Sequence, residues 1–300
     1  MTRLITLGAV IAVGVLSIVV STQSLSPAAV RATEIEQVRD NLYVITGSDA
    51  TNREAFSGGN TGVFVADVGV TVVDTKLPGW GQHLLDRIRT VTDKPVVTII
   101  NTHTHGDHTG SNAFFPETVE IVAHANTRAN MERMEAFAGD NAKFLPTRTY
   151  RDHLTLGTGR DRIDLYHFGA GHTDGDTVIV YPALRVLQMG DLFPWKDAPF
   201  LDRSNGGSGV ALPDTLAKLL ATIDGVDTVV PGHIPVTTPA ALEEFQRFTA
   251  DLLSATRQAI NDGQSAEEAA SSIDLSGRYP DYAANRVPAA IQAIYEELGR

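Results

Sequence analysis

The sequence predicts an α/β fold from residue 33 onward. Short runs rich in Val and Ile alternate with amphipathic stretches, an order typical of strands alternating with helices. The composition, with 43% hydrophobic and 20% charged residues in a chain of 300, is that of a globular protein with room for a large core. Because no linker, repeat or low-complexity tract divides residues 33–300, we expect a single domain in which residues 239–300 form a helical C-terminal portion.

Residues 1–32 have the pattern of an export signal. Arg3 gives a positive start, and Leu4 to Val20 is an uncharged apolar run. A polar stretch follows, and its small residues suit cleavage just before Thr33. The alternative is an uncleaved membrane anchor, because the length of the apolar run is close to the minimum that a helix needs to span a bilayer. The pattern predicts a periplasmic or secreted protein that contacts a membrane only if this segment is retained.

Strands are predicted at short apolar runs, and helices where apolar residues recur with a period near 3.6. Val96 to Ile100 follows a proline and is continuously apolar, which favours a strand buried on both faces. Gly139 to Arg151 and Pro194 to Gly209 are expected to be long irregular loops, which are often functional. The remaining predicted strands are Leu42–Thr46, Gly62–Ala66, Val70–Asp74, Val119–Ala123, Ile163–Phe168, Thr177–Tyr181, Arg185–Met189 and Asp227–Val230, and the predicted helices are Trp80–Thr90, Ala125–Phe137, Pro213–Ile223, Pro239–Asn261 and Pro288–Leu298.

The composition excludes several kinds of site and partner. The chain has no cysteine, so it can form no disulfide and offers no thiolate metal ligand or cysteine nucleophile. Its formal net charge is −12, and removal of residues 1–32, which contain two arginines and no acidic residue, makes the charge more negative. Such a surface repels phosphate backbones. We therefore expect a small-molecule substrate and no nucleic-acid partner.

A cluster of metal-binding residue types directly follows the predicted buried strand. The segment NTHTHGDHTG, which begins at residue 101, holds four potential ligands within six residues. In an extended segment alternate side chains point the same way, so His103 and His105 can reach one metal. The glycine that follows allows a sharp turn, which directs Asp107 and His108 toward a second point. One loop can therefore start two metal sites.

Three more candidate ligands lie farther along the chain. His172, Asp191 and His233 each follow an apolar strand and are each preceded by a glycine. Polar residues at strand ends, beside flexible backbone, are where α/β folds tend to build sites. Alone, each of the three would be interpreted as a turn residue or a hydrogen-bonded core residue. Together with the histidine cluster, they supply the ligands that two metal sites still lack.

The motifs HTHGDHTG, GHTDGDT, MGDLF and PGH resemble, in this order, the metal motifs of the metallo-β-lactamase superfamily. The resemblance extends over roughly Asn60 to His233. It implies an αββα sandwich, in which two mixed β-sheets pack together with helices outside and a dinuclear metal site lies along one edge. By position, the first metal would be held by His103, His105 and His172, the second by Asp107, His108 and His233, and Asp191 would bridge the two.

The resemblance implies a dinuclear zinc hydrolase. Nitrogen and carboxylate ligands without sulfur suit Zn²⁺, although iron and manganese also accept them. Two such ions lower the pKa of a shared water to about 7, so that a metal-bound hydroxide can attack a carbonyl carbon. Asp107 is the candidate catalytic residue, because it can orient that hydroxide or transfer a proton. The expected substrates are β-lactams, lactones, esters or thioesters.

Departures from particular branches of the family leave the activity open. A bridging Asp191 is unlike most true β-lactamases, and the basic residues with which glyoxalase II holds glutathione are not evident. An iron-dependent oxidoreductase is an alternative, although His105 stands where the flavodiiron pattern has a glutamate. A phosphodiesterase is another, with the acidic charge unfavourable for polynucleotides. A purely structural role for the metals is disfavoured, because structural zinc sites usually have all their coordination positions filled by protein ligands, and these sites would leave positions open.

Residues outside the motifs give weaker signals. Asp74, at the end of a strand, is expected either to accept a hydrogen bond from the histidine loop or to be an ordinary turn residue. Aromatic residues after Asp191 are candidates for a substrate wall, with packing inside their own loop as the alternative. The proposed wall consists of Phe193, Trp195, Phe200 and the segment Asn205–Ser208, and the histidines expected to lie away from the site are His83, His124, His153 and His167.

Overall fold

Two β-sheets packed face to face form the centre of the molecule. The computed structural model describes residues 25–47 and 52–299, so the predicted export segment Leu4–Val20 lies outside the described residues. Each sheet contains both parallel and antiparallel strand pairs, and helices cover the outer face of each. The αββα sandwich expected from the sequence is confirmed. No helix within the described ranges combines the length and apolar character needed to cross a bilayer.

The first sheet has seven strands in the order in which they occur in the chain. The first four pair antiparallel as a meander, and the remaining three are added in parallel. Because β4, β5 and β6 are parallel, their carboxyl ends lie at the same edge of the sheet. The strands are β1 (Ile35–Arg39), β2 (Leu42–Ile45), β3 (Thr61–Ala66), β4 (Gly69–Val73), β5 (Val96–Ile100), β6 (Glu120–His124) and β7 (Arg148–Tyr150).

The second sheet has five strands, whose neighbours again follow chain order from β8 at one edge to β12 at the other. Its last two strands are parallel, so they too end at one edge, and the other neighbours are antiparallel. The strands are β8 (His153–Leu156), β9 (Ile163–Tyr166), β10 (Val178–Tyr181), β11 (Val186–Gly190) and β12 (Thr228–Pro231). The helices are α1 (Pro27–Ala32), α2 (Gly81–Arg89), α3 (Gly106–Thr109), α4 (Ala125–Met131), α5 (Leu212–Thr222), α6 (Pro239–Asn261), α7 (Ala266–Ser272) and α8 (Val287–Glu297).

Three apolar layers hold the sandwich together. Between the sheets, side chains such as Phe64 and Tyr181, with ring centroids 5.3 Å apart, form the central layer. On the outer face of the first sheet, Leu84 of α2 is fully buried. On the outer face of the second sheet, α5, α6 and α8 cover a larger cluster in which Phe245 packs on Phe193 at 4.8 Å. Burial of each such side chain contributes about 1.5–3 kcal/mol.

The structure corrects several predicted elements. The helix predicted over Ala125–Phe137 ends at Met131, and a short 3₁₀ turn follows at Glu135–Phe137 so that Phe137 packs against Met131. The predicted loop Gly139–Arg151 contains a 3₁₀ segment and strand β7. The loop Pro194–Gly209 is irregular apart from one 3₁₀ turn, as expected. In β5 only the last two residues are fully buried, because Val97 and Thr98 line a cavity between the sheets.

The predicted cleavage position lies beside ordered structure. Helix α1 precedes it, with Ser26 as the N-cap and Ala29 buried. The Thr33 hydroxyl is buried, donates to Ala29 O at 2.8 Å and lies 3.0 Å from Ser57 Oγ. Cleavage just before Thr33 would remove α1 and the hydrogen bond to Ala29 and would retain the contact with Ser57, and its position stays a prediction.

Candidate metal centre

All seven predicted ligand side chains meet at one edge of the sandwich. They are brought together because the carboxyl ends of β5, β11 and β12, from both sheets, face the same edge, and the loop between β9 and β10 joins them there. The loop after β5 and the short helix α3 carry His103, His105, Asp107 and His108, while His172, Asp191 and His233 come from the three other segments.

His103, His105 and His172 form the first ligand group. One ring nitrogen from each lies within 4.8 Å of the other two. His172 Nε2 is 2.8 Å from His105 Nδ1. Among the described residues, the buried His103 Nε2 has no hydrogen-bond partner. Buried polar atoms are normally paired, so an unpaired nitrogen facing two others points to a cation between them.

Asp107, His108 and His233 form the second group, with one ligand atom from each within 4.8 Å of the others. The two Nε2 atoms are 3.3 Å apart. Asp107 Oδ2 lies 3.7 Å from His108 Nε2 and 3.5 Å from His233 Nε2. A carboxylate facing two imidazole nitrogens is a donor set that divalent zinc, iron and manganese all accept.

The Asp191 carboxylate lies between the two groups. Its Oδ2 is 3.7 Å from His172 Nε2 in the first group and 3.1 Å from His233 Nε2 in the second. Its Oδ1 is 3.3 Å from His108 Nε2 and has no hydrogen-bond partner within the described part of the chain. Gly232 leaves room for it, because a Cβ there would lie 2.1 Å from Oδ1. The position suits a carboxylate shared by two cations.

In four of the histidines, the ring nitrogen that points away from the ligand group lies within hydrogen-bond distance of an oxygen atom. Such a partner fixes the tautomer, since the outer nitrogen donates its proton and the inner lone pair is left free for a metal. The outer contacts are His103 Nδ1 to Thr102 Oγ1 at 3.0 Å, His105 Nε2 to Asp202 Oδ2 at 2.7 Å, His108 Nδ1 to Asp74 Oδ2 at 2.7 Å, and His172 Nδ1 to Phe200 O at 2.6 Å.

Asp74 serves the histidine loop, which was one of the two roles expected for it. It follows β4 and is fully buried. Besides His108, it accepts hydrogen bonds from Thr102 N at 2.8 Å and from the Thr102 hydroxyl at 2.7 Å. Its φ of 66° is left-handed, a conformation that Asp tolerates better than most residues. Through His108 and through Thr102 beside His103, Asp74 acts on both ligand groups.

Asp202 was not found from the sequence. It lies in the long loop after β11, where no motif marks it, and it also caps a turn by accepting from Ser204 N and Asn205 N. Burial raises its pKa, but hydrogen bonds from Ser204, His105 and Asn205 outweigh this and hold the pKa well below its usual range. The capping pattern at Asp202 was a usable signal for the turn. The contact with His105 depends on tertiary structure.

Lys76 was also missed. Its side chain is fully buried, and Nζ donates to Thr46 O at 2.9 Å and to Gly59 O at 2.8 Å. Burial lowers the pKa of Lys76 to about 7, opposed by the nearby charges of Asp74 and Asp107. Gly59 lies against the His108 ring, where a Cβ would be 2.1 Å from Cε1. Lys76 therefore holds the backbone that packs on this ring.

The charges of the site set the protonation of its histidines. Burial lowers the pKa of His172 to about 4 and, with the neighbouring histidines, lowers that of His103 well below its usual value. Burial also lowers the pKa of His108, but Asp191, Asp107 and Asp74 outweigh it and raise the pKa well above the usual value.

The ligand groups open into a cavity of about 510 Å³. Trp195 and Phe200 line it, as predicted for a substrate wall. The prediction was wrong for Phe193, which is buried in the core, and for Asn205–Ser208, whose residues are held in the loop by contacts such as that between Asn205 and Asp202. The cavity is lined by Phe56, Leu77, Pro78, His105, Gly106, Asp107, His172, Asp191, Trp195, Phe200, His233 and Arg286.

Comparisons with known proteins identify the family and the fold. A "Metallo-beta-lactamase type 2" of Elizabethkingia meningoseptica is 28% identical over 233 residues, which are 75% of this chain and 86% of that protein. A metallo-beta-lactamase from Pontibacter korlensis has the same fold, with a TM-score of 0.61 and 21% identity over 73% of this chain and 99% of the other. The sec-alkylsulfatase Pisa1 from Pseudomonas sp. has a TM-score of 0.73 at 15% identity, over 88% of this chain and 50% of the other. The profile of the metallo-beta-lactamase superfamily matches residues 55–233, so the chain belongs to this superfamily and is a metal-dependent hydrolase.

Proposed function

We propose that the protein is a dinuclear zinc hydrolase that cleaves a carbonyl compound: a β-lactam, lactone, ester or thioester. The observation that carries this proposal is the position of Asp191, whose carboxylate oxygens lie within 3.7 Å of ligand nitrogens in both groups. In the proposed assignment His103, His105 and His172 would hold the first zinc, Asp107, His108 and His233 would hold the second, and Asp191 would be shared by both.

The donor set supports zinc over harder cations. It has five imidazoles and two carboxylates, and imidazole-rich sites without sulfur are typical of zinc. When bound, a zinc pair supplies a hydroxide at neutral pH and polarises the carbonyl oxygen. No nucleophilic side chain is then required.

The chain's own residues would orient the reaction. The Asp107 side chain is 22% exposed and lines the cavity, so its carboxylate is within reach of a bound substrate as well as of His108 and His233. It is the candidate proton acceptor and orienting group. Trp195 and Phe200 give the cavity an apolar wall, with the Trp195 ring 5.5 Å from the ring of His233. Phe200 is 48% exposed, as expected of a side chain that contacts a substrate rather than the core.

A hydrolysis panel on zinc-loaded protein tests the proposal. The panel contains β-lactams, lactones, aryl esters and thioesters, with a phosphodiester as the competing chemistry. We expect cleavage of at least one carbonyl class and loss of that activity in His103→Ala, with His153→Ala, a histidine outside the centre, as the matched control. Predominant iron in protein purified without added zinc, or cleavage of the phosphodiester alone, would contradict the proposal.

We also propose that residues 1–32 direct export to the periplasm or the medium. The pattern of a positive start followed by the apolar run Leu4–Val20 supports this. Cell fractionation with N-terminal sequencing tests it. Full-length protein in the cytosolic fraction would contradict it, and full-length protein in the membrane fraction would indicate an uncleaved anchor.

A further inference from the structure

One basic side chain faces the metal cavity. Among the described residues that line it, Arg286 is the only Lys or Arg. It immediately precedes α8, so it comes from the C-terminal helices and lies outside residues 55–233, which the superfamily profile matches. The ligand motifs therefore do not account for it.

Arg286 is within reach of a molecule bound at the metal centre. Its guanidinium carbon lies 4.0 Å from the centroid of the Trp195 ring. The Trp195 ring lies 5.5 Å from the ring of His233. The sum of these distances, about 9.5 Å, is an upper limit for the separation of the guanidinium carbon from the His233 ring centroid. A small molecule can span this distance.

The backbone of Arg286 is fixed while its charged group is left unpaired. Arg286 N donates to Asp197 Oδ1 at 3.4 Å and to Oδ2 at 3.3 Å, and Trp195 Nε1 donates to Ala198 O at 3.1 Å, so the start of α8 and the Trp195 loop are joined. Within residues 25–47 and 52–299 the guanidinium forms no hydrogen bond and no ion pair within 4.0 Å, and it lies over the indole face. Burial raises the pKa of the Asp197 carboxylate, and the charge of Arg286 acts on this carboxylate to lower it. The acidic residues that line the cavity, Asp107 and Asp191, face the ligand histidines.

We propose that Arg286 binds a carboxylate on the substrate, and this inference rests on the proposed hydrolase function. A guanidinium presents a planar set of N–H donors that matches a carboxylate. Because stacking on the indole already restricts the orientation of the guanidinium, the side chain loses less conformational freedom when it binds. The apolar lining, formed by Phe56, Leu77, Pro78, Trp195 and Phe200, suits the body of the molecule. The substrate is therefore an amphipathic acid whose reactive carbonyl lies at the metals while its carboxylate lies at Arg286.

Matched ester substrates test this preference during turnover. Phenyl acetate and its ring-carboxylated analogue, 4-acetoxybenzoate, differ by one anionic group. We expect Arg286→Met to lower the ratio of kcat/KM for the acid to that for the neutral ester about tenfold, the low end for a charge-assisted contact at a half-exposed site. Arg278→Met is the control, because it removes the same charge from an arginine paired with Asp251 outside the cavity. An unchanged ratio in Arg286→Met, or an equal fall in the control, overturns the inference.

A binding measurement tests the same inference without turnover. In full-length protein carrying Trp80→Phe, Trp195 is the remaining tryptophan and reports on its own surroundings. Titration with cyclohexanecarboxylate, with cyclohexanecarboxamide as the neutral probe, is carried out with and without zinc. We expect a saturable fluorescence change with the acid, and a Kd about tenfold higher in Arg286→Met. No saturable change, or equal Kd values in the two proteins, overturns the inference. Acid binding without hydrolysis of any carbonyl substrate would instead reject the proposed function alone.

Discussion

Replacing Asp74 by Asn tests whether the buried carboxylate behind the histidines controls metal binding. Asp74 accepts three hydrogen bonds, from Thr102 N, the Thr102 hydroxyl and His108 Nδ1, at 2.7–2.8 Å. Asn has nearly the same shape and tolerates the left-handed backbone at this position. The substitution therefore changes the hydrogen bonding and leaves the packing in place.

The amide must place its NH₂ group against one of these donors. If it faces His108, it donates to Nδ1 and moves the ring proton to Nε2, the atom that faces Asp191 and His233. If it faces Thr102, the backbone N–H loses its acceptor. Loss of an outer partner of a ligand histidine typically weakens metal binding 10–100-fold, which is about 1.4–2.7 kcal/mol. We expect the larger loss at the second metal, because His108 contacts Asp74 directly.

Zinc titration against a chelating indicator resolves the two binding steps, and zinc-dependent turnover follows the same change. Asp164→Asn is the control, since Asp164 is also a buried carboxylate but lies on β9, away from the centre, and pairs with Arg162. Two zinc ions bound by Asp74→Asn as tightly as by the wild type would refute the reasoning. An equal loss in Asp164→Asn would show that the effect is not specific to the site.

Three further substitutions test other parts of the account. Asp202→Asn removes the carboxylate that contacts His105 Nε2 at 2.7 Å, so zinc titration should show an affinity loss of about 10–100-fold that is larger at the first metal, and equal losses at both metals would contradict this. Gly59→Ala places a Cβ 2.1 Å from His108 Cε1, so turnover should fall about tenfold or more, whereas Gly277→Ala, with open space around it, should match the wild type. Phe245→Ala should lower the free energy of unfolding by about 3–5 kcal/mol, because this fully buried ring joins α6 to the second sheet. Denaturant titration should show a single transition, whereas two separate transitions would show that the C-terminal helices fold independently.

The sequence was most informative where the local pattern of apolar and polar residues determines the secondary structure. Val96–Ile100 and Pro239–Asn261 were predicted with the bounds that the structure shows, because an apolar run after a proline and a long amphipathic stretch each favour one conformation. Strands β1, β7 and β8 were missed. β1 and β7 are largely exposed or half-buried at the edges of the first sheet, and their side chains lack an alternating apolar pattern. β8, at the edge of the second sheet, does alternate polar and apolar residues, but its four residues are at the lower length limit of such a pattern.

In the candidate site, too, the residues in local motifs could be predicted and those defined by tertiary contacts could not. Its seven side chains could be named from local motifs, and the structure brings them together. Asp202 and Arg286 could not be named, since each acts through a contact with a residue at least 90 positions away, respectively His105 and Trp195. Phe193 was placed in the cavity wall because it is aromatic and follows Asp191. Its ring instead fills the core against Phe245, a choice that depends on the packing of α6.

The most direct test of the central claim is anomalous diffraction at the zinc absorption edge from crystals of the zinc-loaded protein. Two peaks about 3.5–4 Å apart are expected. One should lie among His103, His105 and His172, the other among Asp107, His108 and His233, with Asp191 contacting both. A single peak, peaks elsewhere on the molecule, or no anomalous signal at this edge of the sandwich would contradict the dinuclear centre and the hydrolytic mechanism built on it.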